Sequence, residues 1–287
     1  MARNSGSRLG KEPDATETPS DDSIAAVMQS QSEGLSFATP TEFVELPSQG
    51  RCYPGDHPLC GVESIEIKYM TAKEEDILSS KTLIKQGIAI ERFLKNIIID
   101  KSVRSDGLLS GDRNAILIAA RINGYGAEYS TKVVCPACMT SSDYEFDLSD
   151  VQIKAFNEDA EDASWTENGT LMITTPITGV QVEMRPMTGK DEMYMARLQE
   201  SKKRKNLPET KLTDMLKAII VSANGIETRS LIGEFIEVMP ARDSKYLRAI
   251  YEKNIPNIDM TQEFECPSCN YGTDLEVPFT TDFFWPK

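Results

Sequence analysis

Two cysteine pairs, Cys135-Pro136-Ala137-Cys138 and Cys266-Pro267-Ser268-Cys269, constrain this chain more than anything else in it. Each has the Cys-Pro-x-Cys form of a zinc knuckle, a tight turn whose proline and free amides aim both thiolates at one metal ion. Two knuckles supply the four soft ligands of a closed tetrahedral centre, which is the structural and not the catalytic kind. The pairs stand 131 residues apart, against an ordinary spacing of about 15–20. A fold that uses both must bring distant stretches of chain together.

The surroundings of the two pairs match at that same offset. Asp112 lies 23 residues before Cys135, Asp243 lies 23 before Cys266, and each begins a stretch of helical character. After the knuckles, Asp143 and Glu145 recur as Asp274 and Glu276. Further upstream, Met70-Thr71-Ala72-Lys73-Glu74-Glu75 is echoed by Met187-Thr188-Gly189-Lys190-Asp191-Glu192 at an offset of 117. Self-similarity of this kind reads as internal duplication. The expected fold class is α+β, with two structurally similar halves that each carry helices and a zinc-knuckle β-hairpin. Residues 1–40 read as a tail, 41–156 as the first half with Cys135 and Cys138, and 157–287 as the second with Cys266 and Cys269. One zinc ion on the four cysteines then pins the halves together.

The tail is rich in Ser, Asp, Thr, Glu and Gln, and buries too little apolar surface to offset its ordering entropy. It is expected to be disordered or to order on a partner, with a short helix over 23–31. Beyond it, Ser48-Gln49-Gly50 reads as a turn and the alternation over Ser64–Met70 as a half-buried strand. Thr71 with Glu74, and Thr188 with Asp191, are capping boxes that open helices. Further helices are expected over 88–99, over 113–122 with Gly124 as C-cap, and over 212–222, 230–238 and 243–252. Strands bracket both knuckles, over 128–134 and 144–148 and again over 260–265 and 273–277. The acidic stretch 157–164 marks the join.

With 287 residues, 40% hydrophobic and 26% charged, the chain can bury a substantial core. Its formal charge of −14 repels nucleic-acid backbones. The one basic run, Lys202-Lys203-Arg204-Lys205, reads as a solvated helix end. No apolar run reaches membrane-spanning length and the N-terminus lacks a signal-peptide layout, so a cytoplasmic origin is expected, where zinc sites persist and disulfides do not.

A second constellation, Cys52, His57 and Cys60, offers only three ligands in a proline-bearing loop and is read as structural. His57 is the single histidine, which leaves little scope for acid–base catalysis. P-loop, dinucleotide and nucleophile-elbow patterns are missing from the sequence, so no enzymatic activity is expected. At the chain end, Phe283, Phe284 and Trp285 can each bury about 150–250 Å². They either fold back on the core or anchor a partner protein.

The stretches Phe43–Gly50, Tyr53-Pro54, His57-Pro58-Leu59, Ile65–Leu78, Gly111–Arg121 and Gly124-Tyr125-Gly126 through Cys138 resemble the baseplate hub proteins of T-even-like phages, the gene 26 product family. The likeness is close over about residues 40–150 and looser beyond. It implies a non-enzymatic structural or assembly role in a contractile tail, with hub, tail-tube or tape-measure proteins as partners. The implied location is the virion tail baseplate, with the host cytoplasm during assembly. Two rivals from other classes are a zinc-ribbon nucleic-acid adaptor and a thiol oxidoreductase.

Overall fold

In the computed structural model, which describes residues 39–277 and 281–284, the alternating stretch forms β2 (Ser64–Lys68), antiparallel to β1 (Thr41–Glu45). Helices α1 (Ala72–Ser79), α2 (Lys81–Lys85), α3 (Ala89–Ile97) and α4 (Ser110–Tyr125) follow. The first knuckle hairpin, β3 (Glu128–Val134) with β4 (Ser141–Asp147), comes next, then the short β5 (Gln152–Lys154). A four-stranded antiparallel sheet holds β6 (Ser164–Trp165), β7 (Leu171–Thr174), β8 (Gln181–Met184) and β9 (Ile220–Ala223). Helices α5 (Gly189–Arg204) and α6 (Lys211–Ile219) precede β9, and α7 (Arg229–Val238) and α8 (Ala241–Asn254) follow it. β10 (Asn257–Asp259) leads into the second knuckle hairpin, β11 (Thr261–Glu265) with β12 (Gly272–Glu276). The architecture is α+β, and all the described elements from residue 40 onward belong to one unit.

Local chemistry explains why these elements form where they do. Thr71 and Thr188 cap α1 and α5 through reciprocal bonds with Glu74 and Asp191. Each acid is also paired with the base that ends the preceding strand region. Lys68 Nζ lies 2.8 Å from Glu74, and Arg185 makes bonds of 2.7 and 2.8 Å to Asp191. A second acid recurs at the third residue of α4 and of α8. Asp112 is fully buried and accepts from Ser48 N, Ser48 Oγ and Tyr53 OH at 2.9, 2.6 and 2.8 Å. Asp243, equally buried, accepts from Ile177 N, Thr178 N and Thr178 Oγ at 2.8, 3.0 and 2.8 Å. In both places a helix N-terminus is tied to the turn that follows a strand.

Several boundaries differ from the sequence reading, and three of them have a direct physical reason. α4 runs on to Tyr125 and ends at Gly126 (φ 86°), not at Gly124. Gly124 lies inside the helix because Met70 crosses it; an added Cβ would meet Met70 Cε at 2.1 Å. The helix expected over 212–222 stops at Ile219, since Ile220–Ala223 pairs with β8 and completes a sheet edge. β4 begins at Ser141, three residues early, because its partner strand extends to Val134.

Apolar packing is organised in two clusters, the first of which cuts across the division at 156/157. One joins Phe93, Leu94 and Ile97 of α3 to Ile116 of α4, to Tyr129 and Phe146 of the first hairpin, and to Phe264 of the second. The other joins β7 and β8 to Ile219, Leu247 and Ile250. Trp165 packs against both. The parts are also linked by backbone. β5 pairs with β10, and an isolated bridge joins Leu109 to Thr188. A metal ion is therefore not the sole tie between them.

The two buried aspartates lead to two expected outcomes. Asp112→Ala strands the Ser48 and Tyr53 donors in the interior and should cost on the order of 3 kcal/mol in chemical denaturation, more than Asp112→Asn, which keeps one acceptor oxygen. Burial raises the pKa of Asp243, but the Ile177 and Thr178 donors outweigh it and hold the carboxyl below the usual range. At Asp191, burial is outweighed by Arg185 and Thr188 in the same way. A carboxyl held below its unfolded value stabilises the fold while ionised. That contribution is complete above about pH 4 and lost as pH falls through the lowered value. Asp243→Asn should therefore flatten the fall of melting temperature between pH 5 and pH 2 (on the order of the range where carboxyls titrate), with wild type losing the more.

Candidate metal centre

Each knuckle sits at the turn of a two-stranded hairpin, and the two turns are built alike. In the first, Cys135 N donates to Thr140 O and Met139 N to Cys135 O, at 3.0 and 2.9 Å. In the second, Cys266 N donates to Tyr271 O and Asn270 N to Cys266 O, again at 3.0 and 2.9 Å. The residue after the second cysteine is left-handed in both, Met139 at φ 59° and Asn270 at φ 55°. Strand register is conserved as well: Ser130 faces Glu145, and 131 residues on Thr261 faces Glu276. The hairpins meet through Tyr144, whose ring lies 4.9 Å from that of Phe264 and whose hydroxyl donates to Glu263 O at 3.2 Å.

That contact brings all four thiols together, with Cys135, Cys138, Cys266 and Cys269 Sγ within 4.8 Å of one another. Cys135 Sγ is 3.8 Å from Cys269 Sγ, and Cys138 Sγ is 3.7 Å from Cys266 Sγ. The first cysteine of each knuckle therefore faces the second of the other. A metal–sulfur bond of about 2.3 Å in tetrahedral geometry gives a sulfur–sulfur edge of about 3.8 Å, so the two contacts have the length a bound ion requires. Cys135 and Cys266 are buried, while Cys138 and Cys269 face outward. The four cysteines could hold one metal ion. Among the described residues, no other group of three or more His, Cys, Asp or Glu side chains is so placed.

The turns also prepare the sulfurs for negative charge. Hydrogen bonds from the Thr140 side chain and then its amide draw the Cys138 thiol down to about 6. The Ser268 amide, followed by that of Cys269, lowers Cys266. The Tyr271 amide pulls Cys269 down, yet burial and the neighbouring thiols push it up to about 12. Cys138 and Cys266 are thereby drawn toward the thiolate form that a metal ion takes up.

The other sequence candidates fare differently. Cys52, His57 and Cys60 do not converge. Cys52 is buried, with burial and then Asp112 pushing its thiol up to about 12, while Cys60 is exposed. His57 stacks on Tyr53 at 4.3 Å, and its Nδ1 accepts from Leu59 N at 3.2 Å. Lys202 of the basic run bonds Asp214 at 2.6 Å, as a helix end does. Phe283 and Phe284 are folded back into the first apolar cluster, against Tyr129 and Phe93. Two phenyl groups gain more from that dry site than from water. Trp285 lies outside the described residues, as do residues 1–38.

Sequence reasoning missed where the segments after the hairpins go. β5 follows the first hairpin and pairs with β10, just before the second. Phe283, at an offset of 131 from Gln152, follows the second hairpin, and its carbonyl accepts from buried Arg121 at 2.7 Å. The same guanidinium donates to Gly126 O and Glu128 O, at 2.5 and 3.0 Å, just before the first hairpin. The repeat offset was the signal available for this exchange.

These observations define an α+β scaffold carrying a four-cysteine cluster that could hold one metal ion. The chain belongs to the T4 bacteriophage base plate protein family, whose model matches residues 39–285. Membership makes it a structural component of the phage baseplate, located in the virion tail and in contact with other baseplate components. No curated protein and no solved structure matches the chain. Among the described residues no helix is long and apolar enough to cross a membrane.

The left-handed knuckle positions give a direct test of this geometry. Met139 is highly exposed and gains little from packing, while a non-glycine residue in that conformation costs roughly 1–2 kcal/mol. Met139→Gly is expected to leave stability unchanged or raise it by up to about 1 kcal/mol in thermal or chemical denaturation. Asn270→Gly should change less, because asparagine tolerates the conformation.

Proposed function

We propose that this chain is a non-enzymatic component of the baseplate hub in a contractile phage tail, locked by one structural zinc ion on Cys135, Cys138, Cys266 and Cys269. The observation that carries the zinc assignment is the reciprocal thiol contact, Cys135 to Cys269 and Cys138 to Cys266 at 3.8 and 3.7 Å, between turns 131 residues apart. An all-thiolate set favours zinc over the harder divalent cations. When bound, zinc supplies charge compensation and a rigid crosslink, and leaves no open position for substrate.

The two halves, 41–156 and 157–287, are read as products of one duplication. Supporting this are the common hairpin register, the paired capping boxes with Lys68 and Arg185 behind them, and the buried Asp112 and Asp243 at the third residue of matching helices. Partners are hub, tail-tube or tape-measure proteins, met in the host cytoplasm as the tail is built. The formal charge of −14 disfavours a nucleic-acid adaptor. Placement of both cysteine pairs in hairpin turns, away from helix N-termini, disfavours a thiol oxidoreductase.

Metal analysis of full-length protein, purified reduced and without chelator, should find one zinc per chain. A strong chelator should lower the melting temperature, and Cys135→Ser or Cys266→Ser should do the same by stranding the remaining ligands. Zinc content near zero would sink the metal assignment. The functional class is tested by whether the chain purifies with tail baseplates from infected cells. Steeply salt-dependent DNA binding would support the adaptor instead, and turnover of insulin disulfides the oxidoreductase.

A further inference from the structure

The outward faces of the knuckle hairpins carry charge of which the fold uses little: Asp147 accepts from Ser149 N at 2.8 Å and Glu145 from Ser130 Oγ at 3.4 Å. The first hairpin exposes Glu128, Asp143, Glu145 and Asp147, and the second exposes Glu263, Glu265, Asp274 and Glu276. Against these the four strands offer one base, Lys132. Among the described residues no ion pair reaches any of these eight carboxylates. Register makes the cost explicit. Glu128 stands directly opposite Asp147, and Glu263 directly opposite Asp274. Like charges in facing positions of an antiparallel pair destabilise it. Both hairpins pay this cost at their outer strand positions.

At the end of this acidic ribbon, around the thiols, the surface turns apolar. Val134, Met139 and Tyr271 each lie within two residues of a cluster cysteine, and they are 53%, 73% and 44% exposed. Met139 combines the largest exposure of the three with a left-handed backbone that favours glycine. Neither burial nor conformation explains a methionine there, whereas a flexible apolar side chain is well suited to contact with another protein. An apolar centre rimmed by charges of one sign is the layout of a protein interface, and the sign of the rim selects its partner.

We propose that the double-knuckle tip and its acidic flanks form a docking surface for a basic protein partner, one that sets an apolar spot ringed by lysine and arginine against Met139 and the eight carboxylates. This rests on the baseplate reading above, since the partner is taken to be another component of that assembly. The hairpins are rigidly joined through Tyr144 and Phe264 and through the thiol cluster, so the two acidic faces are held in one arrangement before the partner arrives. Electrostatic attraction would make capture fast and sensitive to salt.

The test uses full-length protein added to baseplate intermediates isolated from cells infected with phage lacking this chain. Incorporation is measured against salt for wild type, for Glu128→Gln/Asp147→Asn/Glu263→Gln/Asp274→Asn, and for Met139→Gly. A control variant neutralises Glu200, Glu234 and Glu237 on the helices of the second half, with Glu209 in the loop before α6. The four-fold hairpin variant should melt at or above the wild-type temperature, because repulsion is relieved. Its incorporation should weaken roughly tenfold or more and lose most of its salt dependence. Met139→Gly should also weaken incorporation without loss of stability, and the helix control should behave as wild type. Wild-type incorporation with undiminished incorporation of the hairpin variant overturns the proposal while leaving the baseplate reading intact. Failure of wild type itself to incorporate removes that reading, and the proposal falls with it. Self-association of wild type that the hairpin variant loses would assign the face to a second copy and equally overturn the basic partner.

Discussion

Contact between the two knuckle turns is the constraint on which the rest of the arrangement depends. Thiols 134 and 128 residues apart reach a spacing of 3.8 and 3.7 Å only if both hairpins are stiff and their inner faces pack. The turns supply the stiffness, with matching backbone bonds and a left-handed residue after each second cysteine. Packing comes from Tyr144, which sits on Phe264 and reaches Glu263 O. Repulsion among four close sulfurs is then the price of the geometry, and a cation removes it.

From that contact the larger layout follows. The second hairpin belongs to the later part of the chain, yet its apolar residues complete the core built by α3, α4 and the first hairpin. Each segment after a hairpin crosses to the stretch just before the other, β5 to β10 and Phe283, through Arg121, to the backbone near Gly126. Such crossing makes the two parts mutually dependent. It also explains why the terminal phenylalanines are core residues, since they close the first cluster.

A second theme is economy in the use of buried and half-buried acids. Glu74, Asp112, Asp191 and Asp243 are each saturated by donors from a nearby strand end or turn. Desolvation opposes the charged form in every case, and its balance against the bonds decides the outcome. They lower Glu74, Asp191 and Asp243, whereas at Asp112 burial prevails and the carboxyl is raised. Among the exposed carboxylates of the hairpins only Asp147, bonded by Ser149, and Glu145, near the Ser130 hydroxyl, take a donor, and that contrast separates acids that build the fold from acids turned outward.

The sequence by itself determined the local pieces. Cys-Pro-x-Cys specifies a turn with two converging thiols, Thr71 with Glu74 and Thr188 with Asp191 specify helix starts, and alternation over Ser64–Lys68 specifies a strand, because each depends on neighbours within a few residues. The offset of 131 also made the pairing of the four cysteines legible before any coordinates. Other features were decided only by tertiary structure. Gly124 looks like a helix end until Met70 is seen to cross it. Ile220–Ala223 is apolar enough for a helix or a strand, and the free edge of β8 selects the strand. The burial of Phe283 and Phe284, and the facing of Glu128 by Asp147, depend on elements far away in the chain. Local propensity carries no information about such contacts, because their energy exists only once distant surfaces meet.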